Sequence, residues 1–257
     1  MKMNATARLL CLAFVAGSAS APRPAVAQAD ITEYTANYDV EYRGRRAARA
    51  EFGVSADGDG QYLFRSSTEA RGIYKLASPK PALESSRFRV DGGEIRPLRF
   101  DYEDGSRKGE DNYGIEFDSA DGRVRVAAPG GPLELPFEPG LLDRGSLQVA
   151  LMRDAGECRL PGPYRYVDDD GVRSYHYERL EDMTAGTDAG NFATIRFAQR
   201  REGSSRSTVL WLAPALSHLP VRIEQFRDGE LETVFSLTAF AGIQVEESAC
   251  SNSAADG

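Results

Sequence analysis

Side chains able to perform acid–base or metal chemistry are few and widely separated in this chain. Its two histidines, His176 and His218, belong to no cluster of His, Cys and carboxylate residues with the spacing of metal ligands. We interpret both as ordinary surface or strand histidines. After residue 27 there is no G-x-S-x-G nucleophile motif and no phosphate-binding glycine loop. Gly145-Ser146-Leu147 is typical of the start of a helix rather than of a nucleophile site.

Two acidic runs suggest calcium binding at first sight. Calcium loops need oxygen ligands at alternating positions and a further bidentate acid. Asp168-Asp169-Asp170-Gly171 is followed by Val172-Arg173-Ser174, and Asp57-Gly58-Asp59-Gly60 also lacks the further acid. Both runs therefore predict solvated hairpin turns, and we predict no metal and no cofactor. Acid–base pairs can form when a chain folds, but no pair stands out here, so we assign no catalytic residue.

Alternation of apolar and polar residues, punctuated by Asp-Gly, is the dominant pattern of the chain. Tyr34 to Tyr42 alternates as a half-buried strand requires, and similar runs follow through Val126 and again from about Tyr164. Asp-Gly between such runs favours tight hairpins because both central residues of the turn need a positive φ. The sequence predicts a mainly β fold, with a curved antiparallel meander sheet or half-open barrel and one helix over about residues 142–155.

That helix rests on Leu147, Ala150, Leu151 and Asp154, which recur at helical spacing, with Asp143 or Ser146 as its cap. Pro129 to Pro139 predicts an irregular approach to it. Two long hairpins follow, Asn191–Arg201 with Ser207–Leu212 and Val221–Arg227 with Glu230–Phe240. We expect one domain over residues 28–245, the alternative being a split near Pro139, and a polar, flexible tail over residues 246–257.

The first 27 residues have the pattern of a secretory signal peptide. Lys2 and Arg8 precede a short apolar run, and Ala25-Val26-Ala27 forms an A-x-A cleavage site ending at Ala27. Cleavage removes three basic and no acidic residues and takes the formal net charge from −8 to −11. We expect a periplasmic or secreted protein with no membrane span, no nucleic-acid partner, and repulsion from anionic membrane surfaces. Leu10 before Cys11 argues against a lipidation site.

Cys158 and Cys250 remain after cleavage. An even pair of cysteines in an oxidising compartment predicts a disulfide, which would stabilise the fold by about 4–5 kcal/mol in the chain-entropy model. Two free structural thiols are the alternative, and a redox pair is disfavoured because the spacing does not resemble C-x-x-C.

Aromatic residues are concentrated on the predicted strands. Most can be accounted for as core, but a curved sheet could also leave an apolar groove suited to a lipid-like ligand. The residues that we predict to line such a groove are Tyr38, Tyr42, Phe64, Phe88, Phe100, Tyr102, Phe117, Trp211 and Phe235.

Several motifs resemble the DUF3108 family of exported bacterial proteins. They are the opening run from Tyr34, Ala70-Arg71-Gly72-Ile73-Tyr74-Lys75, Glu84-Ser85-Ser86-Arg87-Phe88, Ile95 to Tyr102, Asp143-Arg144-Gly145-Ser146, Leu210-Trp211-Leu212-Ala213-Pro214 and Leu219-Pro220-Val221-Arg222. The resemblance covers about Tyr34 to Phe240 and implies a β-rich exported protein without an assigned reaction. The stretch from Trp211 to Glu224 is also similar to a strand–turn–strand of LolA-type lipoprotein carriers, which hold an apolar cavity in a half-open barrel.

These observations favour a non-enzymatic function. The first hypothesis is a periplasmic carrier or binding protein for a lipid-like or lipoprotein ligand. The second is an interaction module whose exposed sheet edge pairs with an envelope protein. The third is a hydrolase of an envelope polymer that uses carboxylates brought together by the fold, and it requires a clustered acid pair with perturbed ionisation.

Overall fold

A computed structural model of the chain describes residues 31–245. The predicted signal peptide with its cleavage site at Ala27, the tail over residues 246–257, and Cys250 lie outside these residues. The strands are β1 (Tyr34–Tyr42), β2 (Arg45–Ala56), β3 (Gln61–Ala70), β4 (Ala82–Asp91), β5 (Glu94–Glu103), β6 (Tyr113–Asp118), β7 (Arg123–Ala128), β8 (Gly131–Pro136), β9 (Leu141–Leu142), β10 (Tyr164–Asp168), β11 (Gly171–Thr187), β12 (Gly190–Arg200), β13 (Arg206–Ala213), β14 (Leu219–Arg227) and β15 (Glu230–Ala241). The helix α1 spans Arg144–Gly156, and short 3-10 helices span Gly72–Leu76 and Pro214–Leu216.

All fifteen strands belong to one sheet in the order β8-β7-β6-β5-β4-β3-β2-β1-β15-β14-β13-β12-β11-β10-β9. Neighbours along this order are antiparallel except β9 and β10, which pair in parallel. The first strand therefore lies in the middle of the sheet, between β2 and β15. The prediction of a curved meander with one helix is confirmed, and the helix begins within two residues of the predicted position.

Tight turns connect the neighbouring strands of the meander. They form where the sequence has residues, chiefly glycine and aspartate, that can adopt the left-handed backbone conformation. At Arg43-Gly44 and Asp228-Gly229 both residues have positive φ, 50° and 73° in the first turn and 52° and 83° in the second. This is the conformation that matches the twist of a two-residue hairpin. The two turns lie side by side, since the backbone N–H of Arg43 donates to the carbonyl oxygen of Glu232 at 2.8 Å.

The sheet curls until its two edges come near each other without pairing. Strands β8 and β9 are the two edges, yet only residues 137–140 separate them in the chain. Five Cα–Cα steps of about 3.8 Å allow at most about 19 Å between these edges. Leu141 of β9 accordingly packs in one cluster with Phe100 of β5 and Ile115 of β6. The structure is therefore a half-open barrel.

The helix α1 fills the concave side of this curved sheet. It packs against β3, β4 and β5 on one side and against β10 on the other. Its buried residues lie on more than one face, including Leu147, Val149, Leu151 and Met152, as expected of a helix enclosed by apolar surface. The helix joins the concave faces of the strands to form the main hydrophobic core.

One expectation from the sequence is wrong. Pro129 to Pro139 is not irregular throughout, because Gly131–Pro136 forms the edge strand β8. Leu133 and Leu135 pack on the adjacent core, and an edge strand tolerates Pro132 and Pro136 since a proline there removes no ladder bond that the sheet requires. The single parallel pair, β9–β10, arises because the chain crosses through α1 between these two strands.

Gly145 marks the tightest contact between α1 and the sheet. A Cβ atom at this position would lie 2.6 Å from both Phe64 Cδ1 and Ser86 Cβ. We expect Gly145→Ala to lower the free energy of unfolding by about 1–3 kcal/mol, because the helix must shift away from the sheet. Urea denaturation measures this loss. Gly130→Ala is the matched control, since Gly130 is exposed and its added Cβ meets nothing within 4 Å. Equal midpoints for the two variants would contradict the predicted overpacking.

Candidate functional site

The nine aromatic residues predicted to line a ligand groove contribute chiefly to packing. Six are buried and three are half-buried: Tyr38, Phe64, Phe88, Phe100, Phe117 and Trp211, and then Tyr42, Tyr102 and Phe235. Phe52, which the sequence analysis did not single out, is central among them. Its ring centroid lies 4.9 Å from Tyr38, 6.4 Å from Phe64 and 6.0 Å from Phe235. Its place in the alternating run of β2 was the available signal.

Trp211 is set apart from the other aromatic residues by its polar neighbours. The guanidinium of Arg196 lies 4.0 Å from the indole centroid and that of Arg222 lies 5.9 Å away. The indole N–H donates to Glu224 Oε2 at 3.2 Å. On β3, β4 and β5 the concave face is covered by α1, which limits access to Phe64, Phe88 and Phe100. Their role as ligand-lining residues stays a prediction.

The start of α1 is fixed by a fully buried carboxylate. Asp143 is the N-cap: its Oδ1 accepts from the backbone N–H of Ser146 at 2.8 Å, and the Ser146 hydroxyl accepts from the Asp143 N–H at 2.9 Å. This capping box satisfies two helix donors reciprocally. Asp143 Oδ2 accepts from the Ser86 hydroxyl at 2.8 Å and so joins the helix to β4. The prediction that Gly145-Ser146-Leu147 begins a helix is confirmed.

Burial raises the pKa of the Asp143 carboxyl from 3.8 to about 6, although hydrogen bonds from Ser146, Ser86 and Gly145 act in the opposite direction. Among residues 31–245 it is the only carboxyl whose pKa is clearly raised. Its partners are two serines and the helix backbone rather than a second acid. The perturbed acid thus serves the helix cap.

Arg144 links the two halves of the sheet. Its Nη2 donates to the Tyr113 hydroxyl at 2.7 Å, and its Nη1 lies 3.4 Å from Glu84 Oε1. The Tyr113 hydroxyl in turn donates to Asp168 Oδ1 at 2.6 Å. The guanidinium also lies 4.9 Å from the Tyr102 ring centroid. The cation lies between two carboxylates and several aromatic rings, and we assign Arg144 a structural role, although its buried Nε has no hydrogen-bond partner among the described residues.

Asp168 is buried beside Tyr113 and Arg144. The sequence analysis predicted a solvated turn here and did not predict this burial. The run Asp168-Asp169-Asp170 does form the β10–β11 turn, but only Asp169 and Asp170 are exposed. Arg173 binds Asp168 Oδ2 at 2.6 Å and Asp170 Oδ1 at 2.6 Å. One guanidinium therefore contacts all three acids of this run. In residues 31–245 no three His, Cys, Asp or Glu side chains are arranged to hold a metal ion.

The histidines differ in environment. His176 is exposed on β11, as expected. The prediction for His218 is wrong, because the side chain is only 5% exposed and its Nε2 has no hydrogen-bond partner among the described residues. It packs beside Gly156 at the end of α1, where a Cβ on that glycine would lie 3.5 Å from His218 Nδ1. Burial lowers the pKa of His218, so the neutral imidazole acts as a core residue.

An open groove lies on the outer face of the sheet, opposite α1. It crosses β1 to β5 and has a volume of about 460 Å³, within the range of about 300–1,000 Å³ typical of small-molecule sites. One row of cross-strand neighbours runs along it, Thr35, Gly53, Arg65, Ser85 and Asp101. A second row runs beside the first, Glu51, Ser67, Leu83 and Glu103.

Small side chains create the groove. Some of its charged side chains form ion pairs and others do not. Gly53 has no room for a side chain, since a Cβ would lie 2.9 Å from the Tyr34 carbonyl oxygen. Asp101 is held by two hydrogen bonds from Arg99, each 2.8 Å long. Arg65, by contrast, is exposed and forms no ion pair with any residue in 31–245, and the same holds for Glu51 and Glu103, which are also exposed.

Sequence reasoning missed this groove because its residues resemble an ordinary solvated sheet face. Leu63 and Leu83 are the apolar exceptions on that face: Leu63 is buried, and Leu83 is 39% exposed. Apolar residues at outward positions of an alternating strand were the available signal. The groove offers a free cation, two free carboxylates and one partly exposed apolar side chain, Leu83, within one concavity.

Comparison with known families identifies the chain. The model of the family described as "Protein of unknown function (DUF3108)" matches residues 37–235. The chain belongs to the DUF3108 family. No curated protein matches it.

Solved structures similar to this DUF3108 protein share little sequence with it. A beta-barrel-like protein of the DUF1849 family from Brucella abortus has 11% identity and a TM-score of 0.49, with 83% of this chain and 98% of that chain covered. A protein from Bacteroides fragilis assigned as exported, with a YmcC-like fold, has 12% identity, a TM-score of 0.40 and coverages of 81% and 95%. A protein from Parabacteroides distasonis assigned as a lipoprotein has 9% identity, a TM-score of 0.32 and coverages of 81% and 95%. We draw no functional conclusion from these likenesses.

Two further expectations concern the envelope setting of this DUF3108 protein. Within residues 31–245 no helix is both long and apolar enough to cross a membrane. The Cys158–Cys250 disulfide stays a prediction, because Cys250 lies outside the described residues while Cys158 follows the end of α1.

The buried Asp143 carboxyl makes stability depend on pH in an unusual direction. The folded protein keeps this proton up to about pH 6, whereas the unfolded chain loses it near pH 3.8. Between these values folding takes up a proton, so the stabilising effect of the raised pKa is complete below pH 3.8 and is lost as pH rises through 6. We expect the free energy of unfolding of the wild type, relative to Asp143→Asn, to fall by up to about 3 kcal/mol over this interval.

Chemical denaturation at a series of pH values measures this difference. Asp188→Asn is the control, because Asp188 is exposed and forms no ion pair with any of residues 31–245. Comparing each variant with the wild type removes the contribution of the surface acids. Those whose pKa is lowered by an ion pair, such as Glu69, Glu138 and Asp170, destabilise the fold as pH falls, which is the opposite of the effect of Asp143. Parallel pH curves for the wild type and Asp143→Asn would contradict the assignment.

Proposed function

We propose that this DUF3108 protein is an exported, non-enzymatic binding protein that holds a zwitterionic, lipid-like amphiphile in the groove on the outer face of its sheet. The observation that carries the proposal is the free Arg65 in one groove with the free carboxylates of Glu51 and Glu103 and with the partly exposed Leu83. The signal peptide predicted over the first 27 residues supports export to the periplasm or out of the cell.

The charge pattern selects the class of headgroup. Arg65 and Glu51 lie on adjacent strands at diagonal positions, because Arg65 pairs with Gly53. Such diagonal neighbours are about 7–8 Å apart, within reach of long side chains. A phosphate bound by a guanidinium and an ammonium group bound by a carboxylate match this arrangement. A purely anionic headgroup would meet two uncompensated carboxylates, whose repulsion lowers affinity.

Leu83 accounts for the apolar part of the ligand. It faces outward from β4, beside Glu103, and is 39% exposed. Covering it with an acyl chain removes apolar surface from water, which is the main favourable contribution to binding such a chain. The groove is open along its length, so the chain need not fit entirely within about 460 Å³.

The sheet-edge interaction hypothesis has less support. The edge strand β8 carries Pro132 and Pro136, and the opposite edge, β9, has two residues. Prolines and very short strands are features that discourage strand addition at an edge. A lipoprotein ligand remains compatible with the groove through its acyl chains.

Filling the groove tests the proposal. We expect wild-type protein to bind lysophosphatidylethanolamine, measured by isothermal titration calorimetry below the micellar concentration, and Ser85→Phe to weaken binding at least about tenfold, because the ring occupies the central row. Arg89→Phe is the matched control: Arg89 is exposed on the same face of β4 but does not line the groove. Circular dichroism checks that both variants fold.

The headgroup has its own test. Arg65→Gln is expected to weaken binding of lysophosphatidylethanolamine, whereas Arg89→Gln leaves it unchanged. Lysophosphatidylglycerol, which lacks the ammonium group, is expected to bind more weakly than lysophosphatidylethanolamine. Equal binding of both lipids by the wild type and by Ser85→Phe would overturn the assignment of the groove.

A further inference from the structure

One end of the barrel carries a basic, apolar projection that the proposed function does not use. We define the tip as residues 43–46 and 71–81, the β1–β2 turn and the β3–β4 loop. We propose that the tip binds the surface of a membrane containing anionic lipids, with Ile73 and Leu76 inserted among the lipids. This inference goes beyond the proposed function and does not require a ligand in the groove.

Ile73 and Leu76 are the most exposed large apolar side chains in residues 31–245, at 70% and 79%. They lie three residues apart in the 3-10 helix Gly72–Leu76. A 3-10 helix has three residues per turn, so these two side chains project on the same side. Single exposed apolar residues are ordinary, whereas an adjacent pair on a projecting loop indicates a contact surface.

The loop holds these residues outward on a fixed backbone. The Tyr74 ring packs edge-on against Tyr42 of β1, with centroids 6.1 Å apart. The Arg71 N–H donates to the Ala47 carbonyl oxygen at 2.7 Å, and the Lys80 N–H donates to the Gly105 carbonyl oxygen at 3.1 Å. Gly105 lies so close to this loop that a Cβ there would be 2.5 Å from the Lys80 carbonyl oxygen. Both ends of the loop are thus braced, and the exposure is a property of the folded state.

The charge of the tip is opposite to that of the chain. The chain has a formal net charge of −8, but residues 43–46 and 71–81 contain six basic residues and no acidic one: Arg43, Arg45, Arg46, Arg71, Lys75 and Lys80. Three of the six form ion pairs with acids outside the tip, Arg43 with Glu232, Arg46 with Asp39 and Lys75 with Glu69. Arg45, Arg71 and Lys80 form no ion pair with any residue in 31–245.

Charge complementarity therefore selects an anionic surface as the occupant. The sequence analysis predicted repulsion from such membranes on the basis of net charge. Screening limits that repulsion to about 8–10 Å at physiological salt, so charges near the point of contact decide the interaction, and the unpaired Arg45, Arg71 and Lys80 favour an anionic surface. Insertion of apolar side chains flanked by Arg and Lys is the usual arrangement at a membrane interface.

Vesicle sedimentation tests the tip directly. The exported form of the full chain, purified without detergent, is mixed with vesicles of phosphatidylethanolamine and phosphatidylglycerol, or of phosphatidylcholine alone. We expect sedimentation with the anionic vesicles only, weakened by added salt. The double variant Ile73→Asp with Leu76→Asp should reduce the bound fraction about tenfold. Leu160→Asp is the matched control, because Leu160 is 67% exposed and lies outside the tip.

Two additional variants separate charge from insertion. Lys80→Glu should weaken binding to anionic vesicles, whereas Arg89→Glu, an equal charge change outside the tip, should not. Leu76→Trp should give fluorescence that brominated lipids quench, while Leu160→Trp should not. Wild-type protein that stays in solution with anionic vesicles, or an Ile73→Asp and Leu76→Asp variant that sediments as well as the wild type, would overturn the proposal. An interface with another protein would then be the explanation of the tip.

These experiments test the proposal for the groove and the proposal for the tip independently. The variant with Ile73→Asp and Leu76→Asp should bind lysophosphatidylethanolamine in solution as the wild type does, and Ser85→Phe should sediment with anionic vesicles as the wild type does. Loss of vesicle binding without loss of ligand binding therefore concerns the tip alone.

Discussion

The helix α1 inside the curved sheet is the element on which the rest of this structure depends. A sheet with an aromatic concave face exposes too much apolar surface to be stable unless something covers it. Here the cover is a single helix, and its first turn is fixed by the buried Asp143 and by close packing at Gly145. The half-open barrel is thus a filled core, with its concave face committed to folding.

The next residue, Arg144, connects this helix to both ends of the sheet. Its contacts reach Glu84 on β4, Tyr113 on β6 and, through the tyrosine, Asp168 on β10. These strands belong to the two halves of the meander, β1 to β8 and β9 to β15. The polar cluster therefore joins the two halves across the opening.

Both surfaces to which we assign binding, the groove and the tip, lie away from the occupied concave face. On the outer face, Gly53 and several serine side chains leave a concavity with unpaired charges. At one end, the β3–β4 loop carries apolar and basic residues outward. The second row of the groove includes Leu83, which lies two residues after that loop. A ligand leaving the groove along β4 would thus arrive at the surface that we assign to membrane contact.

Most of the strands and turns and the helix could be predicted from the residues, because each depends on local periodicity or on φ preferences that neighbouring residues reveal. The family could be predicted from its motifs. Alternation from Tyr34 to Tyr42 and the capping pair of Asp143 and Ser146 are such signals. Pro129 to Pro139 misled because a proline-rich strand is permitted only at an edge, and edges are a property of the whole sheet. The burial of Asp168 and His218, the filling of the aromatic face by α1, and the groove around Arg65 were decided by the tertiary structure alone. Each arises from residues far apart in the chain, and no local pattern records which of them will meet.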